Sequence, residues 1–314
     1  MPVVVAVVAQ KGGVGKTTTA TNLAAAIAGQ YQLRVLVIDL DPQRDSTKLL
    51  LGAGAAPELT IQDVLWEPRP AGEVMVAVPS SPELFLVPGS RELARVEKDV
   101  SPGEWEAIAQ DARQTLIGGV PPEVDVVVID TPPSLGLWMQ CALASADGYL
   151  VVGEASVLGA SAIAELLETA GVVSEHLNPG LRRLGIVVNN VRPTQVDASF
   201  VASYDERFGP DVLARLPQRT QVKEAALLAT PIEFYGGAPS DVRAIYRDLA
   251  LRVLTKLGVS RRARGSGAAR FGRPPDPAVP LNAGPPPTVT PRGEVARRNR
   301  RGAGAVRDVT SEEG

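Results

Sequence analysis

The sequence predicts an α/β fold, a doubly wound, mostly parallel sheet flanked by helices on both faces. Three observations lead there. Short runs of Val, Ile and Leu, nearly continuous rather than alternating, recur between segments of helical periodicity. Strands buried on both faces and joined by helical crossovers have that pattern. A glycine-rich turn joins the first apolar run to the first helix, which is the layout a phosphate-binding loop needs. Two later runs end in aspartates, at the strand tips where open sheets of this kind place their ligands.

In chain order, the apolar run Val3–Val8 opens into Gln10-Lys11-Gly12-Gly13-Val14-Gly15-Lys16-Thr17-Thr18, and a helix is predicted over 17–28. Gly12, Gly13 and Gly15 leave backbone N–H groups uncovered. These groups can close around phosphate oxygens at the positive end of the helix. Lys16 is then placed to reach the β- and γ-phosphates, and the Thr17 hydroxyl to bind Mg²⁺. The strict pattern G-x-x-x-x-G-K-[ST] is not met: Gln10 stands at its first glycine, and a second lysine, Lys11, follows it.

A second strand is predicted at 34–39, with Asp39 and Asp41 on alternate residues at its tip. Carboxylates there can organise Mg²⁺ and its waters or orient an attacking water. A helix at Ile61–Trp66, a strand at Leu84–Val87 and a helix at 105–117 follow. The strand at 125–130 is four apolar residues ending in Asp130, which would hold Mg²⁺ through water. Thr131-Pro132-Pro133 then turns the chain beside the γ-phosphate, a place for a nucleotide-sensing switch. Further strands are predicted at 148–152, 184–189 and, more weakly, 212–215. Helices are predicted at 158–174, 198–208, 222–229 and 241–257, the last capped by Ser240 and stopped at Gly258.

Composition narrows the function. Hydrophobic residues make up 45% of 314, enough for a sizeable core, but aromatics are only 4%. The single cysteine, Cys141, excludes a disulfide within the chain and fits a reducing compartment. It lies in an apolar, helix-like stretch and is expected in the core. The only histidine, His176, has no Cys or His partner for a metal. Trp66, Trp105 and Trp138 have no spacing that suggests a base-stacking platform. No signal peptide is apparent, since the apolar run at the start lacks a basic flank and is expected to be a buried strand, and nothing approaches the ~20 apolar residues of a membrane span. The net charge of −3 hides a basic end, because eleven arginines and five acidic residues fall after Gly258. That stretch is also rich in Pro and Gly. Residues 1–258 are therefore expected to form the folded domain, and 259–314 a disordered tail.

The segments K-G-G-V-G-K-T-T, D-L-D-P-Q-x-x-S-T and I-D-T-P-P-S-L, in this order and spacing, resemble the ParA family of DNA-segregation ATPases. These are P-loop NTPases of the deviant Walker A, ParA/MinD superclass. Smaller agreements run to residue 258, including LFLVPGSRELARVE (84–97), LPQRTQVKEA (216–225) and TPIEFYGGAPSDVRAIYRDLA (230–250). The resemblance implies ATP and Mg²⁺ as cofactors and an ATP-driven homodimer in which Lys11 reaches the partner's phosphates. It implies that Lys16, with the loop residues Gly12, Gly13, Val14 and Gly15, serves the chain's own nucleotide. Thr17 binds Mg²⁺ and Thr18 helps hold the α-phosphate. Asp41 positions the hydrolytic water, Asp39 and Asp130 complete the Mg²⁺ environment, and Asn189 and Pro217 contact adenine.

The same resemblance implies nonspecific DNA binding, a ParB-like activating partner, weak basal hydrolysis and a cytoplasmic, nucleoid-associated protein. Arg192, Arg219 and Lys223 fall in the matching segments as DNA contacts, with Arg182, Arg183 and Arg243 as further candidates. Gln221 stands where relatives often carry arginine. The tail cluster Arg297-Arg298-Asn299-Arg300-Arg301 is a further candidate contact. Two alternatives remain: a ParA-like ATPase that positions a protein cargo, and a MinD-like membrane-associated one, although the tail offers no apolar helix face. A redox protein like the nitrogenase iron protein is excluded, since one cysteine is too few for a shared cluster.

Overall fold

The computed structural model describes residues 1–67 and 69–259. The predicted tail, apart from Val259, and its arginine cluster lie outside the described residues. In chain order the strands are β1 (Val3–Val8), β2 (Val35–Asp39), β3 (Val76–Ala77), β4 (Leu84–Val87), β5 (Val126–Asp130), β6 (Gly148–Glu154), β7 (Arg182–Val191) and β8 (Val212–Pro217). They form one sheet in the order β3-β4-β2-β5-β1-β6-β7-β8. All neighbours run parallel except the two-residue edge strand β3, which is antiparallel to β4. The helices are α1 (Lys16–Tyr31), α2 (Asp45–Leu51), α3 (Ile61–Trp66), α4 (Ala71–Val74), α5 (Leu93–Asp99), α6 (Pro102–Ile117), α7 (Leu137–Ser145), α8 (Val157–His176), α9 (Gln195–Phe208), α10 (Thr220–Leu227) and α11 (Ser240–Leu257).

Alternation along each central strand divides the core in two. On β1, Val4, Ala6 and Val8 face the layer built by α3 to α9, while Val5 and Val7 face α1, α10 and α11. β2 and β5 split the same way: Leu36, Ile38, Val127 and Ile129 on the first face, Val35, Val37, Val126 and Val128 on the second. Both sets are fully buried, so every residue of these strands is apolar until the tip. Each buried Val, Leu or Ile among them contributes about 1.5–3 kcal/mol by leaving water.

All seven predicted strands and all seven predicted helices are present, with ends moved by a few residues. The 105–117 helix starts instead at Pro102, where the Ser101 N–H donates to Glu104 at 2.9 Å. Ser240 is not the N-cap of α11: Pro239 holds that place and Ser240 is the first helical residue. Helices α2, α4, α5 and α7 have no counterpart among the predicted ones. α7 has nearly every residue buried, so no polar face marks its period. Cys141 lies on it, buried, with its thiol pushed up to about 12 by that burial. Trp66 and Trp138, unrelated by spacing, meet edge to face at 6.4 Å.

Parallel order brings the C-terminal ends of β1, β2, β5, β6 and β7 to one edge of the sheet. Register then makes Asp39 and Asp130 direct neighbours across β2 and β5, with Val7 of β1 beside Asp130. The phosphate-type loop leaves β1 at this same edge.

Candidate nucleotide site

The turn between β1 and α1 needs its glycines. Gly13 and Gly15 adopt φ of 79° and 86°, a left-handed region that costs other residues about 1–2 kcal/mol. Gly15 is the N-cap of α1, which has no side-chain cap and no acidic residue in its first turn. The leading N–H groups and the positive end of the helix dipole are therefore left for an anion. A Cβ on Gly15 would collide with the Asn189 side-chain amide, whose Nδ2 donates to the Val14 carbonyl at 2.7 Å. Asn189 thus braces the loop itself, a role the sequence did not suggest.

A cleft of about 530 Å³ opens over this loop, lined by Lys11, Gly12, Gly13, Gly15, Lys16, Thr17, Thr18, Asp41, Gln43, Asp45, Lys48, Leu49 and Pro133. A second, of about 300 Å³, shares Gly13, Gly15 and Thr18 with it and continues past Asn189, Pro217, Arg219 and Lys223. The two clefts adjoin at these residues, and each is of the order of size of small-molecule sites.

At the floor, Lys16 is only 5% exposed and its Nζ lies 2.6 Å from Asp130 Oδ1 and 3.6 Å from Asp41 Oδ2. Burial pulls the ammonium's pKa down, but Asp130, Asp41 and Asp39 outweigh it and hold it above its usual value. Asp130 accepts a second bond from Ser46 Oγ at 2.8 Å. Asp39 is wholly buried and does not line the cleft. Its Oδ2 accepts from the Thr47 N–H (2.8 Å) and hydroxyl (2.7 Å), and its Oδ1 from the Asp41 N–H (3.2 Å). Burial first, then Asp130 beside it, push its carboxyl up. Asp41 is also raised by burial, against the pull of the Gln43 N–H and Lys16.

Lys11 sits at the rim of the cleft. It is 46% exposed and paired with Glu154 Oε2 at 3.0 Å, at the tip of β6. Gln10 donates to Glu165 on α8. The structure thus groups Lys16, Thr17, Asp41 and Asp130, sets Asp39 behind them, and leaves Lys11 at the exposed rim, tied to Glu154. Ser46, Thr47 and Glu154 were not singled out from sequence. Ser46 and Thr47 end the D-P-Q-x-x-S-T segment, and Glu154 ends a buried strand as Asp39 and Asp130 do.

The basic candidates divide. Arg192 binds Asp197 through Nε (3.3 Å) and Nη2 (3.0 Å), and Arg219 pairs with Asp241 at 2.8 Å. Arg219 and Lys223 line the second cleft. Arg182 and Arg183 begin β7, whereas Arg192 follows its end, so ten residues and about 30 Å of strand separate them. Arg243 donates to the Tyr235 carbonyl at 2.8 Å.

A family model described as an AAA domain matches residues 3–183. The chain is 33% identical over 259 residues to the chromosome-partitioning ATPase Soj of Thermus thermophilus, covering 81% of this chain and 96% of that protein. It is 31% identical over 257 residues to the chromosome partitioning protein ParA of Caulobacter vibrioides, covering 81% and 94%. The chain belongs to the ParA/Soj family of partitioning ATPases. Among solved structures, the cobyrinic acid a,c-diamide synthase of Mycobacterium smegmatis, with bound ADP and magnesium, is 28% identical with a TM-score of 0.64. That match covers 82% of this chain and 97% of the synthase, and the same enzyme is also known with an ATP analogue and magnesium.

This ParA/Soj-family chain is an ATPase with ATP and Mg²⁺ as its nucleotide and metal. The residues present fit them. The glycine turn leaves the leading N–H groups of α1 uncapped and open to a phosphate chain, and the Thr17 hydroxyl and the Asp carboxylates are hard oxygen donors. Among the described residues no three His, Cys or acidic side chains are arranged to hold a metal unaided. Mg²⁺ in nucleotide sites takes one or two carboxylates plus substrate phosphates and water.

Proposed function

We propose that this ATPase is the switch of a DNA-segregation system. ATP joins two copies as a nucleotide-sandwich dimer, the dimer binds DNA nonspecifically, and a ParB-like partner stimulates an otherwise weak hydrolysis and releases it. One observation supports this reading: the two lysines of one loop have different surroundings, one buried and one exposed. Lys16 is buried at the cleft floor against Asp130, while Lys11, at the rim of the same cleft, is half-exposed and paired with Glu154 at the tip of β6. An exposed lysine suits a phosphate presented by a second copy.

In this reading Lys16 turns from Asp130 to the β- and γ-phosphates, and Asp130 is freed for the Mg²⁺ water shell. Thr17 supplies a hydroxyl to the metal, Thr18 contacts the α-phosphate, and Asp41 at the cleft wall orients the attacking water. Bound Mg²⁺ neutralises charge developing on the transferred phosphoryl group. Asp39, tied to Thr47, holds Asp41 in place through the Asp41 N–H. Asn189 and Pro217 flank adenine in the second cleft, and Arg192, Arg219 and Lys223 meet DNA phosphates. The protein then works in the cytoplasm, on the nucleoid, and residues 1–258 are the working domain. Among the described residues no helix is long and apolar enough to cross a membrane.

A second reading, positioning of a protein cargo, draws on the pairing of Arg192 and Arg219 with Asp197 and Asp241, which DNA phosphates must outcompete. Binding to nonspecific duplex DNA, with ATP and with ADP at two salt concentrations, separates the two. Segregation requires salt-sensitive binding in ATP only, lost in Lys11→Ala and Lys16→Ala. Binding that ignores the nucleotide, or none at all, would move the cargo reading to the front.

A further inference from the structure

We infer that Glu97 is a positioning residue of the ATPase reaction: it caps α7 from a neighbouring helix and so sets loop 131–136 over the phosphate cleft. This role rests on reading residues 11–18 as the phosphate site. Helix α7 has Gly136 as N-cap, no side-chain cap of its own and no acidic residue in its first turn. The Glu97 carboxylate, carried by α5, sits against this helix start instead, with Oε1 over Gly136 and the carboxyl near enough to the Leu137 N–H to feel its pull. It thereby places a negative charge at the positive end of α7. The seat is close-fitting, because a Cβ on Gly136 would overlap Glu97 Oε1. Burial raises the Glu97 carboxyl above its usual range, the Leu137 N–H opposes this, and the charge of Asp41 is near enough to add to the rise.

A hydrogen bond also ties α7 to α5: Trp138 Nε1 donates to the Leu93 carbonyl at 2.9 Å, in the core. Loop 131–136 is thus fixed at both ends. Its start is held by the Thr131 hydroxyl on the Val7 carbonyl at 3.0 Å, and its end by Glu97. Between them, Pro133 lines the phosphate cleft opposite Gly12. The chain entering α5 is tied to the other carboxylate strand, since the Gly89 N–H donates to Thr47 Oγ1 at 2.9 Å and Thr47 holds Asp39. Glu97 therefore joins the Asp39/Asp41 strand tip to the loop that follows Asp130, and holds the cleft wall in register with the residues that act on the water. It touches neither nucleotide nor water in this assignment, so its loss should slow hydrolysis without weakening binding.

Single-turnover hydrolysis and the affinity for a fluorescent ATP analogue, measured on the full chain, test this. Glu97→Ala is expected to slow hydrolysis by about tenfold or more, as misplaced groups do, while affinity stays within about twofold. Glu97→Gln, which keeps an acceptor oxygen, should recover most of the rate. Gly136→Ala should reproduce the loss in the wild-type background and add nothing in Glu97→Ala, where the space is free. Circular dichroism melting confirms that each variant is folded. Wild-type hydrolysis by Glu97→Ala overturns the inference, as does equal loss of rate and affinity. If Glu97→Ala does not fold, wild-type hydrolysis by folded Gly136→Ala overturns it and a slowed rate there supports it. Lys16→Ala is the control on the site itself. Should it bind the analogue like wild type, the phosphate-site reading fails, whatever Glu97 does.

Discussion

Lys16 lies buried against Asp130 and Asp41 with Asp39 behind them, so removing its ammonium leaves like charges facing one another. Breaking a buried pair by deleting one partner costs about 3–5 kcal/mol. Lys16→Ala should therefore lose stability of that order in urea denaturation as well as losing ATP hydrolysis. Adding Asp130→Asn should restore part of the stability and none of the activity, because the repulsion falls while the site stays broken. Asp197 behaves in the opposite sense. The Arg192 side chain, then the Arg192 backbone N–H, hold its carboxyl at about 2 instead of the usual 3.8. A folded pKa below the unfolded one means that the pair stabilises above the unfolded value and is lost as pH falls through about 2. Carboxyl NMR titration should find the Asp197 midpoint near 2, and Arg192→Ala should return it toward 3.8. At this scale the motif lysines, Thr17 and the strand-tip aspartates were legible in sequence, because their chemistry requires those residue types at those spacings. Glu97, Ser46 and Glu154 were not, because the groups they hold lie far from them along the chain.

Helices α10 and α11 end in the same hydrogen-bond pattern with different residues at the left-handed position. In α11 the Val259 N–H reaches the Leu254 carbonyl at 2.9 Å and the Gly258 N–H reaches Thr255 at 3.1 Å, with Gly258 at φ 73°. In α10 the Thr230 N–H reaches Ala225 at 3.0 Å and the Ala229 N–H reaches Ala226 at 3.1 Å, with Ala229 at φ 48°. Only glycine adopts that conformation without a Cβ penalty. Ala229→Gly should therefore stabilise by about 0.5–1 kcal/mol after the extra freedom of glycine in the unfolded chain is subtracted, and Gly258→Ala should destabilise by a similar amount. Thermal melting reads both signs. Gly258 marked its helix end in the sequence; Ala229 hid the end of α10, so the prediction ran two residues long. The short helices were missed for related reasons. α2 starts behind Arg44 in a left-handed conformation, α4 is a single turn, and α7 is buried almost all round.

Over the whole molecule, the predicted boundary near Gly258 carries its own test. α11 packs along α1, and its buried side chains Leu249, Val253, Leu254 and Leu257 complete that core face before Gly258. A chain stopped after Val259 should melt with the full-length protein and hydrolyse ATP at the same rate; a lower melting temperature would mean that later residues complete the fold. The fold class was legible because a strand buried on both faces must be apolar at every position, and a parallel sheet needs helices between its strands. What the sequence alone determined is the seven parallel strands and seven of the helices, the phosphate loop between β1 and α1, and the residue types its chemistry requires. Strand order, the pairing of Asp39 with Asp130, the burial of Lys16 among carboxylates and the pairing of exposed Lys11 with Glu154 were decided only by the tertiary structure. The physical reason is range. Periodicity and turn chemistry act over a few residues, whereas the charges of this site are brought together from segments about a hundred residues apart, where register and burial set their neighbours.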